Sequence, residues 1–329
     1  MKANPNFTNL PLEFWANIKY LSNQKGYSDS LPRGLKLKDN ITVPPEIKKI
    51  KEFLAKKKTA IPQVKAFTYQ EIIDFFKSES FNTDFVMKKD GKPTEMCLKM
   101  ESYLQYRADV LNNEVEGNLM DFSVAEQEFN RLKEAIKPTI PFPMNKQKGN
   151  KKVIAYFTSI INMLIEQGLR GTDFDHDPRK LAMFTENNYP SRILSRTVDG
   201  AYPSIVDPIA LWEIKEYYFT TSFGSRVADG VYESLLDGME LKEVESNLGK
   251  KVGHYLFVDA YYTWWIQGKS YLCRMIDMLH MGIITEIIIG KEVTSRLPIL
   301  VKEWVKKRKL KQLDFPLGMA AEPKKKYRN

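Results

Sequence analysis

The stretch VDGAYPSIVDPIALWEIKEYY, residues 198–218, ends in an apolar run carrying Glu213 and Lys215 separated by a single isoleucine. Side chains alternate across a β-strand, so in ALWEIKEYY the residues Leu211, Glu213, Lys215 and Tyr217 share one face while Trp212 and Ile214 lie on the other. If VDPI, residues 206–209, forms the turn of a hairpin, the strand before it carries Asp199 to the position opposite Glu213. Directly opposed residues in an antiparallel pair are about 5 Å apart. Two carboxylates and an ammonium then lie within reach of one divalent ion and one water. Asp207 is the competing carboxylate, but a straight strand of six residues would place it roughly 20 Å from Glu213.

Outward from this stretch the pattern changes character. Toward the N-terminus the chain reads as helices and loops: VPPEIKKIKEFLAKKK has prolines where a helix begins, TYQEIIDFF pairs Thr68 with Glu71 as a capping box, and SVAEQEFNRLKEAIKP suggests the same device with Ser123 and Glu126. KKDGKP, residues 88–93, predicts a turn. KPTIPFPMNKQKGNKK, residues 137–152, interrupts the helical pattern and predicts a linker, dividing a mainly helical region 1–145, suited to DNA recognition or dimerisation, from a second unit 146–329. That unit opens with the apolar helix VIAYFTSIINMLIEQGL. It continues through strand-like RILSRTV and IALWEIKEYYF, helical SRVADGVYESLLDG, strand-like HYLFVDAYYTWW, helical YLCRMIDMLHMG, strand-like ITEIIIG and helical PILVKEWVKKRKL, an α/β layered pattern.

Charge follows the same division. The 329 residues carry a formal charge of +9, which favours a polyanionic partner such as nucleic acid. Residues 1–100 hold 18 basic and 11 acidic groups and residues 301–329 hold 10 and 3, whereas residues 201–250 reverse the sign with 4 and 9. Basic flanks for phosphates and an acidic centre for a metal would produce this distribution, and so would a solvated acidic helix face near 225–247. Cys97 and Cys273 are far apart and outside any CxxC spacing, so neither a disulfide framework nor a cysteine zinc site is expected. The N-terminal MKANPNFTNLPLEFW has no signal-peptide pattern and no apolar run is long enough to span a bilayer, so a cytoplasmic protein without membrane insertion is the expectation.

Two carboxylates can hold Mg²⁺ through oxygen, the ion can offset charge on a phosphodiester, and a nearby lysine can orient or deprotonate a water. An Asp on one hairpin strand followed by Glu/Asp-x-Lys on the next, after an amphipathic helix that often supplies a further Glu, is the motif of the PD-(D/E)XK nuclease superfamily. Asp199 with Glu213-Ile214-Lys215 resembles that motif, and the resemblance covers about residues 150–300. Of the five acidic-x-Lys triplets, at Glu46, Asp90, Glu213, Glu240 and Glu322, the one at Glu213 lies in a strand pattern with an upstream Asp at hairpin distance.

The resemblance implies an α/β fold with a restriction-endonuclease-like core, a central mixed β-sheet flanked by helices. It makes Asp199 and Glu213 ligands of Mg²⁺, Lys215 the water-activating residue and Glu166 a supporting acid. Size and the large extra region look most like a type II restriction endonuclease, which would bind double-stranded DNA as a homodimer and cut both strands. The sequence departs from the family at Val198, which stands where the Pro of the motif would be. A junction-resolving or repair nuclease, a non-catalytic DNA-binding protein, and a plain surface ion pair between Glu213 and Lys215 are the alternatives.

Other features carry less. Asp173, Asp175 and Asp177 imitate the start of a calcium loop, but Pro178 and Phe184 occupy the positions that need Gly and Glu. QGKS around Lys269 has Thr263 in place of the first glycine of a phosphate loop. His176, His254 and His280 share no metal-ligand spacing. The aromatic run YYTWW, residues 261–265, is expected in a core or dimer interface. Lysines 56–58 and 306–311 are candidate phosphate contacts, and PKKKYRN reads as a basic tail.

Overall fold

The computed structural model describes residues 1–32, 34, 35, 37–220 and 224–313. The basic tail PKKKYRN lies outside the described residues. In chain order the helices are α1 (Leu12–Lys25), α2 (Ile47–Lys56), α3 (Tyr69–Ser78), α4 (Glu95–Asp109), α5 (Glu116–Asn118), α6 (Phe122–Ile136), α7 (Tyr156–Leu169), α8 (Ser225–Leu248), α9 (Lys269–His280) and α10 (Val293–Leu313). The strands are β1 (Met183–Glu186), β2 (Tyr189–Ile193), β3 (Gly200–Tyr202), β4 (Ala210–Glu216), β5 (Gly253–Asp259) and β6 (Glu286–Ile289).

The fold is α/β, built on a mixed four-stranded sheet in the order β3-β4-β5-β6. β3 runs antiparallel to β4, with Gly200 opposite Trp212 and Tyr202 opposite Ala210, while β4, β5 and β6 are parallel. Parallel strands need long crossovers, and α8 and α9 supply them. β5 and β6 are buried along their whole length, as a sheet covered on both faces requires. On the face away from Glu213, Trp212 stacks on Trp304 of α10 with ring centroids 5.4 Å apart and planes 8° apart. Gly200 makes that packing possible, because a Cβ there would meet the Trp212 indole at 2.1 Å. α10 packs closely on α7, where a Cβ at Gly168 would meet Val301 at 2.7 Å. β1 and β2 form a separate antiparallel pair.

α1, α3 and α4 bury their own aromatic-rich core, which includes Phe14, Trp15, Ile18, Ile72, Phe76, Met100 and Tyr103. They join the sheet unit through a buried ion pair: Arg107 donates through Nη1 to both oxygens of Asp277 on α9, at 3.0 and 3.1 Å. The hydroxyl of Tyr103 donates to the same carboxylate at 2.6 Å.

Several expectations meet a different outcome. The capping box of α3 forms between Thr68 and Glu71 as read. α6 instead begins two residues earlier than read, with Asp121 as its N-cap accepting from the Val124 N–H at 3.0 Å. A carboxylate that also accepts from the Ile47 N–H, at 2.9 Å, makes stronger bonds than a serine hydroxyl could, and Glu126 is engaged by the Tyr156 hydroxyl. RILSRTV is strand only at its first two residues, and AYYTWW turns from strand into a π-helical segment over Tyr262–Gln267 whose Trp264 and Trp265 are buried. No helix among the described residues is long and apolar enough to cross a membrane.

Candidate active site

The β3–β4 pairing brings three of the four candidate residues together. Asp199, one residue ahead of β3, donates its N–H to the Trp212 carbonyl at 3.1 Å, and its Oδ2 accepts the Ile214 N–H at 2.7 Å. The carboxylate is thereby tied across β4 beside Glu213. Glu213 and Lys215 are buried on the α8 face of the sheet, 1% and 4% exposed, so they are not a surface pair. The Lys215 Nζ donates to Glu213 Oε2 at 2.9 Å and to Glu233 Oε2 at 3.2 Å. Gly230 of α8 leaves room for this lysine, since a Cβ there would meet its Cδ at 3.2 Å.

Asp207 lies elsewhere. Its left-handed backbone (φ 49°) turns it toward the β1–β2 pair, where it accepts the Thr185 N–H at 3.1 Å, the Thr185 hydroxyl and the Lys250 ammonium at 2.6 Å. Glu166 is a correction to the expected set. It lies in the last turn of α7 and is turned toward the 137–139 segment, where the Thr139 N–H donates to its carboxylate at 3.1 and 3.2 Å and the Thr139 hydroxyl donates as well. No contact joins it to Glu213. α7 instead approaches β4 with its first turn, whose Thr158 N–H and hydroxyl donate to Glu216 at 3.0 and 2.9 Å, on the face opposite Lys215.

Three members of the cluster escape a reading of the 198–218 stretch. Arg196 donates to both oxygens of Glu213, at 2.9 and 3.3 Å, to Asp237 at 2.6 Å and to Glu233 at 3.2 Å. Glu233 and Asp237 stand four residues apart on α8 and so share a helix face. One turn further on, Glu240 holds Arg192 at 2.8 Å and the Ser195 hydroxyl at 2.6 Å. The acidic stretch of the sequence is therefore a seam that fastens residues 192–199 to α8, and the i, i+4, i+7 spacing of 233, 237 and 240 was the available signal.

Four carboxylates, Asp199, Glu213, Glu233 and Asp237, face two cations, Arg196 and Lys215. Burial and the charge of Glu213 push Asp199 up to about 6, against the pull of Lys215, the Ile214 N–H and Lys146. Burial and Glu213 likewise push Asp237 up to about 7 despite Arg196, and its Oδ1 has no hydrogen-bond partner. For Glu213, burial is outweighed by Lys215 and Arg196 together, and its pKa falls below its ordinary value. Burial is also outweighed at Lys215, where Glu213 and Asp199 hold the amine above its ordinary value. In this arrangement Lys215 is an ammonium that can orient or offset charge. It becomes able to take a proton only when another cation neutralises Glu213.

The set can be tested against Mg²⁺. The donors are hard carboxylate oxygens in excess over the cations, and Asp237 Oδ1 is buried and unpaired. Mg²⁺ commonly takes only one or two carboxylates and completes its shell with water and phosphate oxygens. Among the described residues no group of three or more His, Cys, Asp or Glu is arranged as a ready cage. The residues fit a two-carboxylate site at Asp199 and Glu213, on condition that Arg196 yields its hold on Glu213.

This cluster lies inside residues 120–304, which match the family model described as Domain of unknown function (DUF7687). Residues 1–114 match a second model, Domain of unknown function (DUF7690), so the two matches meet near the end of α5, ahead of the segment 137–152. No curated protein and no solved structure matches the chain. Neither description names an activity. Because the first model spans more than half of the chain and contains the whole sheet with its carboxylate cluster, the chain belongs to the DUF7687 family.

Proposed function

We propose that the protein is a Mg²⁺-dependent endonuclease that hydrolyses phosphodiester bonds of duplex DNA. The observation that carries this reading is the buried juxtaposition of Asp199, Glu213 and Lys215 across β3 and β4. Asp199 and Glu213 would hold the ion, which when bound supplies a Lewis acid against the charge that develops on the phosphodiester. Asp199 is held in place by the Ile214 N–H and Glu213 by its strand, so the change that metal binding requires is the release of Glu213 by Arg196. Lys215, fixed between Glu213 and Glu233, orients the attacking water and offsets phosphoryl charge. The formal charge of +9 supports a polyanionic substrate. The resemblance of the motif to restriction endonucleases extends the reading to a type II enzyme cutting as a homodimer.

A plasmid digest tests this. Discrete fragments with Mg²⁺, none with EDTA, and loss of cutting in Asp199→Asn and Glu213→Gln with DNA binding retained are the expected results. Undiminished cutting by both variants overturns the assignment.

A second reading has one observation in its favour. Arg196 occupies both oxygens of Glu213, as in a purely structural ion-pair network within a DNA-binding protein. That reading expects salt-sensitive DNA binding without metal-dependent cleavage, and branched substrates added to the same digest separate a junction-selective nuclease from both.

A further inference from the structure

A second charged site lies away from the Glu213 cluster, at the start of α9, where the sequence reads Gln267-Gly268-Lys269-Ser270. A cavity of about 520 Å³ is lined there by Tyr27, Ser28, Lys269, Ser270 and Arg274, with Asp29 also on its wall. The topology explains its position. β5 and β6 are parallel and joined by α9, so the N-terminus of α9 lies at the carboxyl ends of the strands, where open α/β sheets bind ligands.

The polar groups around this cavity are poorly matched. Lys269 is 4% exposed, lies 4.2 Å from the Trp265 ring centre, and donates to the Trp265 carbonyl. Arg274 stacks on Tyr271 at 4.6 Å and donates to the Tyr232 hydroxyl at 2.9 Å. Neither cation forms an ion pair with a carboxylate among the described residues. The Arg274 Nε has no hydrogen-bond partner. Nor does the hydroxyl of Tyr27, a residue 6% exposed, although Arg274 lies close over its ring. Gly268 offers no side chain to cap the first turn of α9. Burial drags the Lys269 ammonium down to about 7, outweighing the opposing pull of Glu116, Cys273 and Asp29.

Two cations without carboxylate partners, an unpaired hydroxyl and the positive end of a helix dipole converge on one cavity. A planar carboxylate has two oxygens to offer such a donor set, whereas a tetrahedral phosphate has three or four and a second negative charge. We propose that this cavity binds a phosphate group, free or as a monoester, through Lys269, Arg274, Tyr27 and the first turn of α9. The inference stands apart from the nuclease reading, because it uses none of the residues of the Glu213 cluster.

Calorimetric titration of the full chain with inorganic phosphate, adenosine 5′-monophosphate and acetate tests it, in EDTA so that no divalent ion at Glu213 can carry the anion. Saturable phosphate binding, at least tenfold weaker acetate binding, and at least tenfold loss in Lys269→Met and Arg274→Gln are expected. Tighter binding of the nucleotide than of phosphate would identify an organic monoester as the occupant, and equal or weaker binding would identify the free ion. Tyr27→Phe, which removes one hydroxyl, gives a readout should either charge variant fail to fold. Absence of saturable phosphate and nucleotide binding, acetate binding as tight as phosphate, or unchanged affinity in the folded variants overturns the proposal.

Discussion

Arg196 decides how the Glu213 cluster behaves. It is the group that lets Glu213, Asp237 and Glu233 approach one another, and it is also the group that a metal ion would have to replace. Arg196→Gln leaves buried carboxylates without their main partner, and breaking such a pair costs about 3 kcal/mol or more. The variant is expected to melt well below the parent in EDTA and to regain much of the loss in millimolar Mg²⁺, with a smaller Mg²⁺ effect on the parent. Equal Mg²⁺ responses in the two melting curves would contradict the two-carboxylate site.

A single carboxyl on the next strand gives a cleaner titration. Asp259 at the end of β5 accepts from the Tyr218 hydroxyl and from the Met120 N–H at 2.8 Å, yet complete burial raises it from 3.8 to about 8. Between those pH values the folded protein holds a proton that the unfolded chain has released. Stability from this group therefore falls as pH rises from about 4 to about 8 and is lost above it. In Asp259→Asn the melting temperature should fall less steeply than in the parent over that range. Parallel pH profiles for the two proteins would contradict the assignment.

At the level of elements, the strands and helices around 198–218 were legible because alternation and capping are local. β4, β6, α7 and α9 appear where period and punctuation put them, whereas β5 ends at Asp259 and α10 begins at Val293, ahead of the Pro298 read as its start. What was not legible depends on partners distant in sequence. Glu166 has the right spacing on a helix but faces Thr139, because α7 presents its first turn rather than its last to β4. Arg196 lies in what reads as strand, yet Glu240 and Asp237 pull residues 192–196 onto α8. Asp121 displaces Ser123 as the cap of α6 since it also serves the Ile47 N–H. Asp121→Ala should therefore cost somewhat more than an ordinary cap, about 2 kcal/mol, measured by denaturant melts. Gly200 shows the same dependence. A glycine by itself weakens a strand, but here Trp212 fills the space of its absent Cβ. Gly200→Ala should destabilise the protein by about 2–3 kcal/mol, the overpacking range, and should alter the near-ultraviolet dichroism of the Trp212–Trp304 stack. An unchanged melt would mean that β3 moves away from β4 at little cost.

Across the whole molecule, the helical N-terminal region and the sheet unit are coupled through a buried polar seam set in apolar surroundings, with the Met1 ammonium donating to the Ile287 carbonyl and the Asn4 N–H donating to His280 at 3.1 Å beside it. Arg107 is fully buried, reaches Asp277 through two bonds and Ser22 at 2.9 Å, and its Nε is left without a partner. Burial works against the guanidinium charge, but the Asp277 carboxylate outweighs it and holds the pKa above the ordinary arginine value. Such a pair adds little compared with a well-packed apolar substitute, whereas removal of one partner strands the other charge at a cost of about 3–5 kcal/mol. Asp277→Asn keeps the shape and leaves Arg107 unpaired, so it should destabilise the fold by that amount. The joint replacement Arg107→Met with Asp277→Leu should recover most of the loss. Because the seam joins α4 to α9, the single variant should also open preferentially there. Limited proteolysis should then release the α1–α4 region before the sheet unit is cut, while the double variant resists as the parent does. If the single variant melts like the parent, or if its first cuts fall within the β4–β6 core, the seam is not what couples the two parts. The apolar contacts around Tyr103 and Met281, with the Met1–Ile287 and Asn4–His280 bonds, would then carry that role.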